Sequence, residues 1–293
     1  MKIGNWTIRG VSIAGRHTTI AVDELKVCFD LGIIIDNIER TETVLISHGH
    51  GDHIGSLHIF LALRHLHKLN PPLCVMPEVC IPPFKILSSA ASALDRGKSE
   101  TILFNNLIKC DVKAGDNLHL FPITQNGNYF VSGIPMIHKI ISFGYCIYNK
   151  RCKLKEEYIG YTPKQLKELR SQNIGITREI YFPEIAFTGD TIFKSIIENK
   201  DYLKAKLLIM ECTLLDDMTV EEAQNRYHVH ISELIDNYEV FENESIILTH
   251  FSDRYSSAEV IDRISKIMME KGIPSSFTDK IYLLVETGIH KLT

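Results

Sequence analysis

No stretch of this 293-residue chain is long and apolar enough to span a bilayer as a helix, and its opening residues, Met1-Lys2-Ile3-Gly4-Asn5-Trp6, lack the apolar run of a secretory signal. Its cysteines, Cys28, Cys74, Cys80, Cys110, Cys146, Cys152 and Cys212, include no Cys-x-x-Cys pair and make an odd total, a pattern that reads as reduced thiols rather than a disulfide framework. An intracellular protein, cytoplasmic or nuclear and without a membrane anchor, is the expectation. A basic excess is missing too: Lys plus Arg total 32 against 36 for Asp plus Glu, a formal net charge of -4. A polyanion would meet a repulsive overall field and would have to be held by a local basic patch. Short-period repeats and low-complexity tracts are absent. What is present, a 45% hydrophobic composition, suffices for a large core in one domain or two close halves.

Against that background one segment stands out. Ser47-His48-Gly49-His50-Gly51-Asp52-His53 follows the apolar run Thr43-Val44-Leu45-Ile46. Imidazole nitrogens and carboxylate oxygens suit a borderline cation such as zinc, and packing gives no reason to crowd them. In an extended segment His48 and His50 point to the same side, so both can grip one ion. Asp52 and His53, on the turn that follows, can reach a second. The pattern His-x-His-x-Asp-His resembles the signature of the metallo-β-lactamase superfamily, which implies an αββα sandwich of α/β (α+β) class.

The rest of the chain is consistent with that order. Thr7 to Ile13, Thr18 to Val22 and Lys26 to Phe29 read as an antiparallel meander. Ile54 to Leu69 has helical spacing, with Asp52 placed to favour its N-terminus; His58, His65 and His67 read as helix residues away from any metal. A short strand over Leu73 to Met76 precedes a helix opened by Pro82-Pro83 and running through Leu94. Strand-like runs lie between Asn117 and Tyr148, including Tyr129 to Ile137 and Ile141 to Tyr148, and Pro163 to Gln172 reads as a helix. The second half repeats strand then helix: Ile185 to Thr188, a helix from Ile192, Lys206 to Met210, Ile231 to Phe241 as a helix, Ser245 to Thr249, and a helix from Ser256 to Glu270. A single domain over residues 1–293 accommodates all of it.

A two-metal site needs further ligands, and His138, Asp190 and His250, each at the end of a strand-like run, occur in the order the superfamily uses. The resemblance implies that His48, His50 and His138 hold one zinc, that Asp52, His53 and His250 hold the other, and that Asp190 bridges them. Manganese and iron suit the same mixed donor set. Two such ions can activate a water and clamp a phosphodiester in an in-line displacement.

Finer motifs narrow the likeness. Met210-Glu211-Cys212-Thr213, Arg226-Tyr227-His228-Val229-His230-Ile231-Ser232-Glu233, Thr249-His250-Phe251-Ser252-Asp253-Arg254-Tyr255, Cys28-Phe29-Asp30-Leu31-Gly32 and Ser142-Phe143-Gly144-Tyr145 resemble the short form of the ribonuclease Z family over nearly the whole chain. That implies removal of the 3′ trailer from precursor tRNA, with Asp52 as general base and a Glu211–His228 pair handling the leaving-group proton; His230 competes with His228 for that role. Bacterial-type members carry His-Glu-Ala-Thr where this chain has Met210-Glu211-Cys212-Thr213, and the glutamate is retained. The family also implies a homodimer and a tRNA-clasping arm, for which the basic interval 149–182, with Lys153 and Lys155, is the candidate. A long Gly/Pro-rich arm is not evident there. Arg254 is either a phosphate contact or a helix-end surface charge. A small-substrate or cyclic-nucleotide phosphodiesterase and a non-catalytic RNA-binding paralogue are the alternatives.

Overall fold

The computed structural model describes residues 1–96, 106–110, 120–123 and 127–292; the expected strand-like region beginning at Asn117 therefore lies partly outside the described residues. The strands are β1 Lys2–Ile3, β2 Trp6–Ala14, β3 His17–Val22, β4 Val27–Phe29, β5 Thr43–Leu45, β6 Leu73–Pro77, β7 Asn106–Cys110, β8 Phe121–Pro122, β9 Tyr129–Met136, β10 Ser142–Leu154, β11 Thr177–Phe187, β12 Leu207–Glu211, β13 Ser245–Thr249, β14 Phe251–Ser252, β15 Ile281–Val285 and β16 Gly288–Lys291. The helices are α1 Gly51–Ile54, α2 Leu57–Leu66, α3 Ile81–Arg96, α4 Pro163–Ser171, α5 Phe193–Ile197, α6 Lys200–Lys204, α7 Val220–Asn225, α8 Ile231–Asp236, α9 Ser257–Glu270 and α10 Ser275–Thr278.

Two sheets result. The first runs β1-β2-β3-β4-β5-β6-β7 with β14 against β2, and the second runs β16-β15-β13-β12-β11-β10-β9-β8. In the first, the antiparallel meander β1 to β4 gives way to parallel pairing from β4 to β7. Strands buried on both faces read as continuous apolar runs because each side chain finds a partner layer. In β12, Leu207 and Ile209 pack between the sheets, whereas Leu208 and Met210 meet the helices behind. The inter-sheet core joins Phe29, Leu45 and Val75 of one sheet to Tyr145, Ile185, Phe187 and Ile247 of the other, and the Phe29 and Phe187 rings lie 4.9 Å apart. Helices α1 to α3 cover one outer face through Ile54, Phe60 and Phe84, and α8 and α9 cover the other through Leu234, Ile264 and Met268. Each such side chain, fully buried, contributes about 2 kcal/mol. This is the expected αββα sandwich.

Two expectations need correction. The helix expected over Ile54 to Leu69 is broken: the chain bends at Gly55-Ser56, where Ser56 N–H donates to Leu31 O at 2.9 Å, and α2 begins at Leu57. The helix expected over Ile231 to Phe241 ends at Asp236, and a 3-10 turn, Tyr238–Val240, follows. The basic interval 149–182, the candidate arm, is a ribbon tipped by a helix. Strands β10 and β11 run on well past the sheet as a two-stranded ribbon, pairing Leu154 with Thr177, and α4 sits at its tip behind a Thr162 capping box. Its charges partly neutralise one another, since Lys150 pairs with Glu179 at 3.0 Å and Arg178 with Glu156 at 2.9 Å. Among the described residues no helix is long and apolar enough to cross a membrane.

Candidate metal centre

Parallel strands that end together deliver their following loops to one edge, and here both sheets do so at the same edge. The loop after β5 brings His48 and His50, and α1 brings Asp52 and His53. From the other sheet come His138 after β9, Asp190 after β11 and His250 after β13. The sheets are tied at this point: Tyr145 donates its hydroxyl to Ile46 O at 2.6 Å, Phe143 N–H donates to Ser47 O at 2.9 Å, and β14 pairs with β2 just after His250. Gly189 is required where it stands. Its φ is +58°, and a Cβ there would lie 2.7 Å from Ser47 Cβ.

All seven expected ligands converge. His48, His50, His138 and Asp190 form one group, and Asp52, His53 and His250 form another. Asp190 faces both: its Oδ2 lies 3.7 Å from His48 Nε2, and its Oδ1 lies 3.4 Å from both His53 Nε2 and His250 Nε2. Donor atoms sharing a tetrahedral ion at about 2.1 Å stand about 3.4 Å from one another. A third group joins Asp190 and His250 to His228, and His58, His65 and His67 belong to none of the three.

The outer ring nitrogens settle which atoms face inward. Ser47 donates its hydroxyl to Asp30 Oδ2 at 2.8 Å, so the 2.9 Å contact between Ser47 Oγ and His48 Nδ1 is donated by His48. Likewise Thr213 donates to Glu211 Oε2 at 2.6 Å and accepts from His250 Nδ1 at 3.0 Å. His53 Nδ1 donates to Asp30 Oδ2 at 2.7 Å, and His138 Nδ1 donates to the Tyr227 carbonyl at 3.3 Å. Four imidazoles thus carry their proton on Nδ1, leaving the Nε2 lone pair for the centre. His48 Nε2 lies 2.9 Å from His50 Nδ1, His53 Nε2 lies 3.2 Å from His250 Nε2, and the buried His138 Nε2 has no hydrogen-bond partner among the described residues. Ring nitrogens gathered this closely, with an unpartnered one beside them, fit cations between them.

Electrostatics favour the neutral form at His48 and His138 and set His53 apart. Burial pushes the His48 and His138 imidazoles below their usual pKa, favouring the neutral ligand form. Burial would also lower His53, but Asp190 and Asp30 outweigh it and hold it well above the ordinary value. Asp190 would be raised by burial, yet the His250 and His53 charges keep it well below the carboxylate range. Asp30, Tyr227 and His250 all adopt left-handed backbone, with φ of 53°, 64° and 61°. Such strain at non-glycine residues persists where surrounding contacts over-determine it.

Beside the ligands, the buried Glu211 carboxylate accepts from Thr191 N at 2.7 Å, Val229 N at 3.1 Å and Thr213 Oγ1, and His228 Nδ1 lies 3.0 Å from its Oε1. Burial would lower the His228 pKa, but the charge and hydrogen bond of Glu211 raise it to about 9. His230 is spent elsewhere. Its Nδ1 accepts from Ser232 N at 3.1 Å, capping α8, and its Nε2 contacts Met218 O at 2.9 Å. Lys153 lies over the Phe182 ring on the ribbon, Lys155 follows β10, and Arg254 is engaged by Asp217 at 3.2 Å and Ser252 Oγ at 3.1 Å. The sequence reading assigned no role to Asp30, Ser47 or Thr213. The available signal was a carboxylate, Asp30, ending an apolar run with no local partner.

The sandwich is that of the metallo-β-lactamase fold. The solved metallo-β-lactamase fold protein YhfI of Bacillus subtilis matches with a TM-score of 0.57 at 14% identity, covering 97% of this chain and 99% of that one. No protein-family profile matches. The tRNase Z named TRZ1 of Arabidopsis thaliana is 37% identical over 270 residues, 91% of this chain and 92% of the relative. Human short-form tRNase Z superposes with a TM-score of 0.56 at 17% identity, covering 85% and 93% of the two chains. The chain belongs to the tRNase Z family, and is accordingly a hydrolytic endoribonuclease.

Proposed function

We propose that the protein removes the 3′ trailer from precursor tRNA, using two zinc ions held by His48, His50, His138, Asp52, His53, His250 and the bridging Asp190. The observation that carries this is the position of Asp190 between the two trios, with the Glu211–His228 pair at their side. When bound, the two ions would supply the polarised phosphate and acidified water that phosphodiester hydrolysis needs.

The chain's own residues do the rest. Asp52 accepts from Gly15 N–H at 2.9 Å, which fixes one oxygen and orients the carboxylate toward the centre as the general base. His53 and His250 overcome the effect of burial and keep it ionised. His228, kept protonated and oriented by Glu211, donates to the departing ribose 3′ oxygen. The ribbon between β10 and β11 is the tRNA-clasping arm of this reading, with Lys153 and Lys155 meeting phosphates; Arg254 joins them by exchanging Asp217 for phosphate. Association into a homodimer rests on the family relation. Among the described residues six cysteines are free, five of them buried, which supports a reducing compartment, cytoplasm or nucleus.

Parallel assays on a precursor tRNA with a 3′ trailer and on bis(p-nitrophenyl) phosphate, with metal analysis of the purified protein, test this. The expected result is a single cut after the discriminator nucleotide by protein holding two zinc ions. Turnover of the small ester alone would defeat it, and manganese or iron in place of zinc would revise the metal.

A further inference from the structure

We propose that the apolar pocket beside the metal ligands receives the base of the first trailer nucleotide, the one whose 5′ phosphate is under attack. This rests on the reading of the chain as a precursor-tRNA nuclease. The pocket has a volume of about 320 Å³, and Gly49, Cys80, Phe84, Leu87, Ile140 and Ile141 are among its walls. Gly49 stands between the ligands His48 and His50, and Ile140 and Ile141 follow the ligand His138 within the same connection from β9 to β10. The turn that leads into α3 closes against this loop: a Cβ at Gly49 would meet Cys80 Sγ at 3.1 Å. The pocket and the metal centre therefore share a wall.

Large apolar side chains stand in water at its rim, Ile141 57% exposed, Leu87 45% and Ile140 38%, beside a cluster of ionisable groups. The sandwich core does not need them there. A phosphodiester seated over the ligands has one nucleoside on each side of its phosphorus, and no other part of the substrate is tethered as closely.

The proton donor tells the sides apart. His228 borders His138 and His250, with ring centroids 5.6 and 5.5 Å away, whereas the pocket's wall is formed by Gly49, between His48 and His50. Neither His228 nor Glu211 lines the pocket. A donor at the leaving 3′ oxygen places the upstream, discriminator nucleotide on its own side, which leaves the pocket to the downstream one. Apolar walls grip the π face that every base offers, so occupancy is tolerant of sequence.

Single-turnover cleavage of three precursor tRNAs tests this: unmodified, abasic at the first trailer nucleotide, and abasic at the discriminator. Wild-type protein is expected to lose about tenfold in rate on the first-trailer abasic substrate, the loss of one stacked base. A variant carrying Ile140→Ala and Ile141→Ala, and separately Leu87→Ala on the opposite wall, should cleave the unmodified substrate more slowly and show little further loss on that abasic substrate. All three side chains are exposed, and thermal melts check that the variants stay folded. An unchanged first-trailer penalty in both variants, or a penalty relieved only at the discriminator, would overturn the pocket assignment while leaving the nuclease reading intact. No cleavage by wild type would bring down both.

Discussion

Replacing Asp30 tests the scaffold under the ligands most directly. Fully buried, its carboxylate accepts from Ser47 N at 2.7 Å, Ser47 Oγ at 2.8 Å and His53 Nδ1 at 2.7 Å, so it supports one imidazole in each trio, His53 directly and His48 through Ser47. In Asp30→Ala three buried donors lose their acceptor, at about 1 kcal/mol each. Alanine at a φ of 53° adds about 1 kcal/mol, for a loss of about 4 kcal/mol in the metal-free protein. Burial pushes the Asp30 pKa up against the pull of His53, so removing the charge also relieves a desolvation cost and that figure is a ceiling. Asp30→Asn keeps the left-handed turn and one acceptor oxygen, and should lose about half as much. Urea denaturation of metal-free protein measures both variants. Competition with a chelator should show metal affinity lowered about 10- to 100-fold in Asp30→Asn. If Asp30→Ala costs under about 1 kcal/mol and Asp30→Asn binds metal as wild type does, the carboxylate does not support the ligands.

Because Asp190 and Asp30 keep His53 protonated in the metal-free protein despite its burial, loading metal should release protons, and affinity should rise with pH across neutrality. Calorimetry in buffers of different ionisation heat measures the count, and zero release would contradict the assignment of Nε2 as ligand. The His228 pKa is raised from 6.5 to about 9, so in the metal-free protein the stabilisation from its pairing with Glu211 is complete below pH 6.5 and is lost as pH rises through about 9. Glu211→Gln should therefore move the alkaline limb of the kcat profile to lower pH; an unmoved limb would exclude His228 as the acid. His228→Ala should lower kcat about 10²- to 10⁴-fold. His230→Ala should leave kcat near wild type and cost about 1 kcal/mol through the lost α8 cap; the opposite pattern would make His230 the donor.

The site was legible in the sequence where its residues crowd together and less so where they do not. His48 to His53 declare themselves by density alone. His138, Asp190 and His250 are single residues whose convergence depends on strands ending at one edge, and the order of a superfamily pattern was needed to choose them. His228 and His230 differ only in what they touch: one meets Glu211, the other Met218 O and Ser232, and no spacing rule separates them. The bend before Leu57 was hidden because Ile54, Leu57, Phe60 and Leu61 keep helical period through it, while the bond from Ser56 to Leu31 is long-range. The ribbon was hidden because its lysines and arginines read as a solvated run until the glutamates of the facing strand are brought across from it.

The seven candidate ligands are divided between the two sheets. One sheet contributes four of them early in the chain, and the other contributes three, the last at His250. Bound cations would rivet the two halves together, and neither half alone could hold the bridged pair. A nascent chain that has not yet delivered β13 lacks the second jaw. It would be inert toward RNA until translation and docking of the halves were both complete, a safeguard built from topology alone.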